Sequence, residues 1–191
     1  MEDLENAAVE SLKAGVPAFM MCAVNKKLMR KDEDFSGVLA LDGMDLDGTF
    51  GVDLSQTKAE MIDDRECGMT HCMAFQGVEL GQDGKPVAWR VENSWGDDFG
   101  FDGYLVIDAD WFRLYGGDVV VERRFVPERI QKLWDTLPLE DVDYWDNMLA
   151  IGKTGDSPFV CLVIGYYFGS INPRAFICWR EGFFCKVSYA K

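Results

Sequence analysis

The stretch Asn93-Ser94-Trp95-Gly96-Asp97-Asp98-Phe99-Gly100-Phe101-Asp102-Gly103-Tyr104 joins two strand-like runs, Pro86 to Asn93 and Tyr104 to Asp108. Glycines 96, 100 and 103 let so short a connection turn tightly, because residues without Cβ reach backbone conformations closed to others. Upstream, Thr70 to Leu80 and Pro86 to Asn93 flank Gly81-Gln82-Asp83-Gly84-Lys85, a good hairpin loop. The sole histidine of the chain, His71, falls on the first strand of that hairpin, and Asn93 ends the second. An imidazole and a side-chain amide can therefore face each other across neighbouring strands.

The remaining elements follow from periodicity. Residues 3–14 put Leu4, Ala7, Ala8 and Leu12 on one helical face, and Gly15 is a plausible stop. Val16 to Val24 reads as a buried strand. Residues 30–67, mixed and rich in Gly and Asp, read as loops around short strands. Asp110-Trp111-Phe112 opens a short helix, Val119 to Arg123 is a strand, and Pro127 begins a last helix. Strands with peripheral helices predict an α+β fold, a partly open barrel.

Composition narrows the function classes. The 191 residues are 48% hydrophobic, enough for one packed domain, and carry a formal charge of −14. An acidic surface repels phosphate, which argues against nucleic acid and anionic membranes as partners. The longest apolar run, Phe159 to Phe168, is far short of the roughly 20 residues of a membrane span. Residues 154–191 carry +2, so the remainder carries −16. That shift predicts a boundary near Gly152 to Gly155, followed by an aromatic-rich segment with little periodic pattern. The opening Met1-Glu-Asp-Leu-Glu-Asn lacks the pattern of a secretory signal. The six cysteines contain no CxxC pair and are expected as reduced thiols in a cytoplasmic setting.

Asn93-Ser94-Trp95-Gly96 followed by Gly100-Phe101-Asp102-Gly103-Tyr104 resembles the Asn-Ser-Trp-Gly…Gly-x-x-Gly-Tyr block of papain-like cysteine peptidases. Met69-Thr70-His71, Trp89-Arg90-Val91-Glu92-Asn93, Trp111-Phe112, Val126-Pro127-Glu128 and Trp145 to Ala150 narrow the resemblance to the bleomycin hydrolase and aminopeptidase C branch. The likeness runs to about residue 150, leaving 151–191 as an apolar tail outside it. It implies that His71 is the catalytic histidine and Asn93 its orienting amide, with Trp95 shielding the bond between them. The implied activity is cysteine-type aminopeptidase hydrolysis of N-terminal peptide bonds. The implied partners are a peptide substrate and further copies of the chain, with no metal or organic cofactor. Without that block, a lone histidine is more often structural than catalytic.

The nucleophile is a departure. In papain relatives it lies roughly 130–150 residues before the histidine, which from His71 falls before Met1. No cysteine here stands in the Gln-x-x-x-x-x-Cys-Trp context of those nucleophiles. Cys22 reads as a buried strand residue, Cys72 points away from its neighbour His71, and Cys67 is the least implausible substitute. The expectation is the β-barrel half of a papain-like fold, its helical, cysteine-bearing half missing. The alternative is a non-catalytic truncated fragment or an assembly-modulating subunit. Asp45-Leu46-Asp47-Gly48 hints at a calcium loop, but with Gly48 sixth, Gly43 and Leu54 occupy positions that need carboxylates. Cys67, His71 and Cys72 lack the spacing of a zinc site.

Overall fold

The computed structural model describes residues 1–24, 37–41, 46–64, 66–136, 139–140, 163–169, 172–181 and 184–189. Helix α1 (Glu2–Lys13) opens the chain, with Asp3 and Glu5 in its first turn, where the helix dipole favours negative charge. Its Leu4, Ala7 and Ala8 are buried, as the periodicity predicts. Arg129 and Arg113 pair with Asp3 and Glu5 at 2.5 and 2.9 Å, tying the helix to later elements.

Strands β1 (Ala18–Cys22), β2 (Val38–Leu39), β3 (His71–Leu80), β4 (Pro86–Glu92), β5 (Tyr104–Asp108) and β6 (Gly116–Val120) form one sheet. Its order is β2-β5-β4-β3-β1-β6, antiparallel except for the short β2–β5 pair. The fold is α+β. Alternation along the strands divides the sheet into two faces. Met20, Met73, Phe75, Trp89, Val91, Leu105, Ile107 and Val119 join α1 and two later helices, α4 (Ala109–Tyr115) and α5 (Glu128–Thr136), in the main core. Phe75, Trp89 and Phe112 are its centre, with ring centroids 4.4 to 5.9 Å apart. The opposite face carries a smaller cluster of Met21, Ala23, Met61, Ile62, Cys67 and Met69.

Two boundaries differ from the sequence reading. Among the described residues of 30–67, the expected loop over 51–57 and the short strand β2 are present, and helices α2 (Leu46–Phe50) and α3 (Lys58–Asp63) are additions to that reading. A capping box starts α3: Thr57 accepts from the Glu60 amide while the Glu60 carboxylate accepts from the Thr57 amide. The strand expected over Val119 to Arg123 instead spans Gly116–Val120. Gly116 and Gly117 look like breakers in the sequence, yet they are strand residues lying against Phe112 and Met69, where a Cβ has no room. Arg123–Phe125 is a 3-10 turn.

Beyond α5, strands β7 (Leu139–Glu140), β8 (Val163–Gly169), β9 (Asn172–Glu181) and β10 (Phe184–Tyr189) form a second sheet of order β7-β10-β9-β8. The sequence reading left this segment without pattern. Its aromatic and β-branched content favours extended backbone even without alternation. Asp45, Trp145 to Ala150 and the Gly152 to Gly155 boundary lie outside the described residues.

The turn that the opening motif needs is built by two glycines in close approach. Gly100 has φ +73°, and a Cβ there meets the Tyr104 carbonyl and the Leu105 side chain. Gly37 packs against it, its virtual Cβ 2.6 Å from the Gly100 Cα. Gly100→Ala therefore adds left-handed strain to a backbone clash, and we expect it to cost about 2 kcal/mol or more. A urea midpoint equal to wild type contradicts this.

Candidate active site

His71 is the first residue of β3, and Asn93 follows the last residue of β4. The β3–β4 register pairs Ala74 with Glu92, so its continuation sets Asn93 beside Met73, one same-face step from His71. The two side chains meet on that diagonal: His71 Nε2 lies 2.8 Å from Asn93 Oδ1. Both residues are half-buried.

The roles of the two atoms are decided by a third group. The Ser94 amide donates to the same Asn93 Oδ1 at 2.9 Å. An N–H donor seeks an oxygen, so the carbonyl end of the carboxamide faces the ring, and Nε2 carries the proton it donates. Nδ1 is left as the imidazole nitrogen that takes up or delivers a proton. Reversing the amide would set Nδ2 against two N–H donors. The Trp95 ring lies over the imidazole, centroids 4.7 Å apart at 34°, and Phe99 meets Trp95 edge-on at 5.1 Å. The bond is thus walled by aromatic surface on one side.

The described cysteines fall elsewhere. Cys22 is fully buried, its Sγ donates to the His71 carbonyl, and burial pushes its thiol up to about 12. At neutral pH such a sulfur is a thiol, not a nucleophilic thiolate. Cys67 is buried in the smaller cluster, its Sγ directed to the Leu114 carbonyl, and burial raises its pKa as well. Cys72 follows His71 on an extended strand and faces the other side of the sheet, packed against that cluster. Among the described residues, no group of three or more His, Cys, Asp or Glu side chains is placed to hold a metal. Asp47, from the calcium-like stretch, lies in α2 and accepts the amide of Leu54 at 2.9 Å.

Sequence reasoning missed two charged residues on the far face, a half-buried lysine and a fully buried aspartate. Lys58, the first residue of α3, directs Nζ to the carbonyls of Arg113 and Leu114 at 3.3 Å and to that of Gly116. It thereby caps the C-terminal end of α4 with positive charge. Asp118 on β6 is fully buried, and among the described residues neither carboxylate oxygen has a hydrogen-bond partner. Burial pushes it up to about 8, against the smaller opposing attraction of Lys58. The Thr57-Lys58-Ala59-Glu60 capping pattern was a legible signal for α3. For Asp118 the signal was an acid inside an apolar run.

The Peptidase C1-like family matches residues 1–149, and the chain belongs to it. Aminopeptidase W of Lactobacillus delbrueckii subsp. lactis is 37% identical over 149 residues, 78% of this chain and 33% of that protein. Human bleomycin hydrolase is 36% identical over 156 residues, covering 78% and 32%. The crystal structure of PepW from Lactobacillus rhamnosis HN001 superposes with a TM-score of 0.66 at 34% identity, over 78% of this chain and 32% of that one. The fold is that of a papain-like peptidase. The chain spans about a third of the length of the curated relatives it matches.

Proposed function

We propose that this chain carries the histidine and asparagine of a cysteine-type aminopeptidase active site, with His71 as general base and then acid and Asn93 as its orienting amide. The observation that supports the reading most directly is the His71 Nε2–Asn93 Oδ1 contact of 2.8 Å, with Asn93 Oδ1 held by the Ser94 amide. In this reading Nδ1 takes the proton of a nucleophilic thiol. The thiolate attacks the carbonyl of the N-terminal residue, and the imidazolium returns the proton to the leaving amine, giving an acyl-enzyme and a shortened peptide. Water then loses a proton to Nδ1 as it attacks the acyl carbon, and the C–S bond breaks, releasing the amino acid and returning the thiolate beside the imidazolium.

Asn93 holds Nε2 protonated throughout, so that Nδ1 alone exchanges protons. Neither Cys22 nor Cys67 meets the requirements of the nucleophile, and Cys72 faces away. The reading therefore needs a thiol from beyond these three. Residues 1–150 form the peptidase portion and 151–191 a segment outside the family. A cytoplasmic setting, peptide substrates and assembly with further copies of the chain belong to the same proposal. The relatives' names, Aminopeptidase W, Aminopeptidase C and Bleomycin hydrolase, support it. No helix among the described residues is long and apolar enough to cross a membrane.

A second reading is a non-catalytic chain that binds within an assembly. It is favoured by the positions of Cys22, Cys67 and Cys72 alone. The test is hydrolysis of free and N-acylated aminoacyl-coumarins by the native assembly, captured with an antibody against residues 81–104. Thiol-dependent cleavage of the free-amine substrate only is the expected result. Equal cleavage of both overturns the aminopeptidase assignment, and no cleavage of either favours the binding role.

A further inference from the structure

We infer that Thr70 is a positioning residue for His71, its hydroxyl clamping the end of the strand pair that carries the histidine. This rests on the reading of His71 as the proton-transfer residue. His71 opens β3, and its pairing with Cys22 is the last of the β1–β3 ladder. On the other side of β1 the β6 register shifts between Met21 and Cys22, at the same level. Strand ends open more readily than strand centres. Yet His71 keeps its Nε2 at 2.8 Å from Asn93 Oδ1, a bond that needs the strand end to stay in place.

Beyond the ladder the chain continues as Ala23 and Val24, both buried. Buried backbone groups need partners. The Ala23 amide donates to the Tyr115 carbonyl at 2.8 Å, and the Thr70 amide donates to the Cys22 carbonyl at 3.0 Å. The Thr70 hydroxyl then serves Val24 twice: Oγ1 accepts the Val24 amide at 3.0 Å and donates to the Val24 carbonyl at 3.3 Å. One side-chain oxygen thus does for Val24 what an opposed backbone residue does inside an antiparallel ladder. Thr70 itself is exposed, so its side chain contributes these bonds rather than core packing. The hydroxyl extends the β1–β3 pairing past His71, which becomes an internal residue of the pair instead of its end.

Threonine suits this place because its hydroxyl both donates and accepts, while its β-branch favours extended backbone. Valine keeps the shape without the hydroxyl, and serine keeps the hydroxyl without the branch. Thr70→Val therefore orphans both Val24 groups and loosens the strand end at His71, while the Asn93 carboxamide is left intact. The experiment is NMR of the full chain for wild type, Thr70→Val, Thr70→Ala and Thr70→Ser. It reads Val24 amide exchange and, with the imidazole neutral, the ring nitrogens of His71, the single histidine of the chain. In parallel, kcat and KM for aminoacyl-coumarin hydrolysis are measured on the native assembly carrying the same variants.

We expect Val24 exchange to accelerate on the order of tenfold in Thr70→Val and Thr70→Ala, the scale of one lost hydrogen bond. The His71 ring passes from a single Nε2–H tautomer to a mixture of the two. The kcat falls roughly tenfold, short of the hundredfold that a misplacement of about 1 Å can cost. KM is unchanged, because substrate binding is not touched. Thr70→Ser restores exchange, tautomer and kcat together. A single tautomer retained in folded Thr70→Val overturns the inference, and so does a Thr70→Ser chain that restores nothing. Unfolding of both hydroxyl-free variants also overturns it, since the hydroxyl then holds the fold and not the histidine. A mixed tautomer in Thr70→Val, where the wild-type assembly has no peptidase activity, supports Thr70 as the clamp while overturning the catalytic reading of His71.

Discussion

Replacing His71 with alanine should abolish thiol-dependent aminopeptidase activity of the native assembly, lowering kcat/KM by roughly a thousandfold or more, the upper range for a lost acid–base group. His71 is the sole histidine in the sequence, and its Nδ1 is the nitrogen left free once Nε2 is committed to Asn93. Asn93→Ala should do less. It removes one hydrogen bond to a ring that becomes charged during turnover, a loss of roughly tenfold to a hundredfold. The ordering matters as much as the sizes. If Asn93→Ala costs as much as His71→Ala, the amide does more than orient the ring. If His71→Ala retains wild-type kcat/KM, the imidazole is a structural residue of the sheet.

The second large effect lies on the opposite face of the sheet. Asp118 has an ordinary carboxyl value of 3.8 that burial raises to about 8 in the folded chain. The attraction of Lys58 does not rescue the charged form. The Lys58 ammonium is spent on the carbonyls of Arg113, Leu114 and Gly116, and Asp118 receives no hydrogen bond from the described residues. Desolvation therefore outweighs attraction.

The sign follows directly. The folded state holds its proton at pH values where the unfolded chain has lost it. The stability contributed by neutral Asp118 is therefore complete below about pH 4 and drains away as pH rises toward about 8. The slope is at most about 1.4 kcal/mol per pH unit. Asp118→Asn cannot ionise, so its stability should match wild type near pH 4 and exceed it by a widening margin up to pH 8. Urea unfolding at three pH values across that window measures the difference. Parallel wild-type and Asp118→Asn curves contradict the assignment of a neutral buried acid.

What was legible in the sequence was what local pattern controls. The β3–β4 hairpin has alternating apolar residues and a Gly-Gln-Asp-Gly loop, and β5 spans Tyr104–Asp108 as the pattern predicts. Asp108 accepts the Asp110 amide at 2.7 Å, so the helix opening at Asp110-Trp111-Phe112 was marked by an ordinary cap. His71 and Asn93 were found because they end paired strands and belong to a recognisable motif.

What was hidden depended on distant neighbours. Gly116 and Gly117 spell a break locally, but the tight fit under Phe112 and Met69 makes them strand. Lys58 and Asp118 are 60 positions apart, and only the fold brings the ammonium close enough to be felt by the carboxyl. Each of these was decided by packing rather than by propensity.

The central claim is that His71 forms an ion pair with a nucleophilic thiol other than Cys22, Cys67 and Cys72. The measurement that bears on it most directly is the pH dependence of iodoacetamide alkylation in the native assembly, with the modified cysteine identified by mass spectrometry. A thiolate held beside an imidazolium reacts at about pH 5.5, roughly three units below a free thiol. The account predicts one cysteine alkylated at that pH, distinct from those three, and loss of that acidic limb in His71→Ala. Alkylation confined to alkaline pH, or an acidic limb that survives His71→Ala, would contradict it.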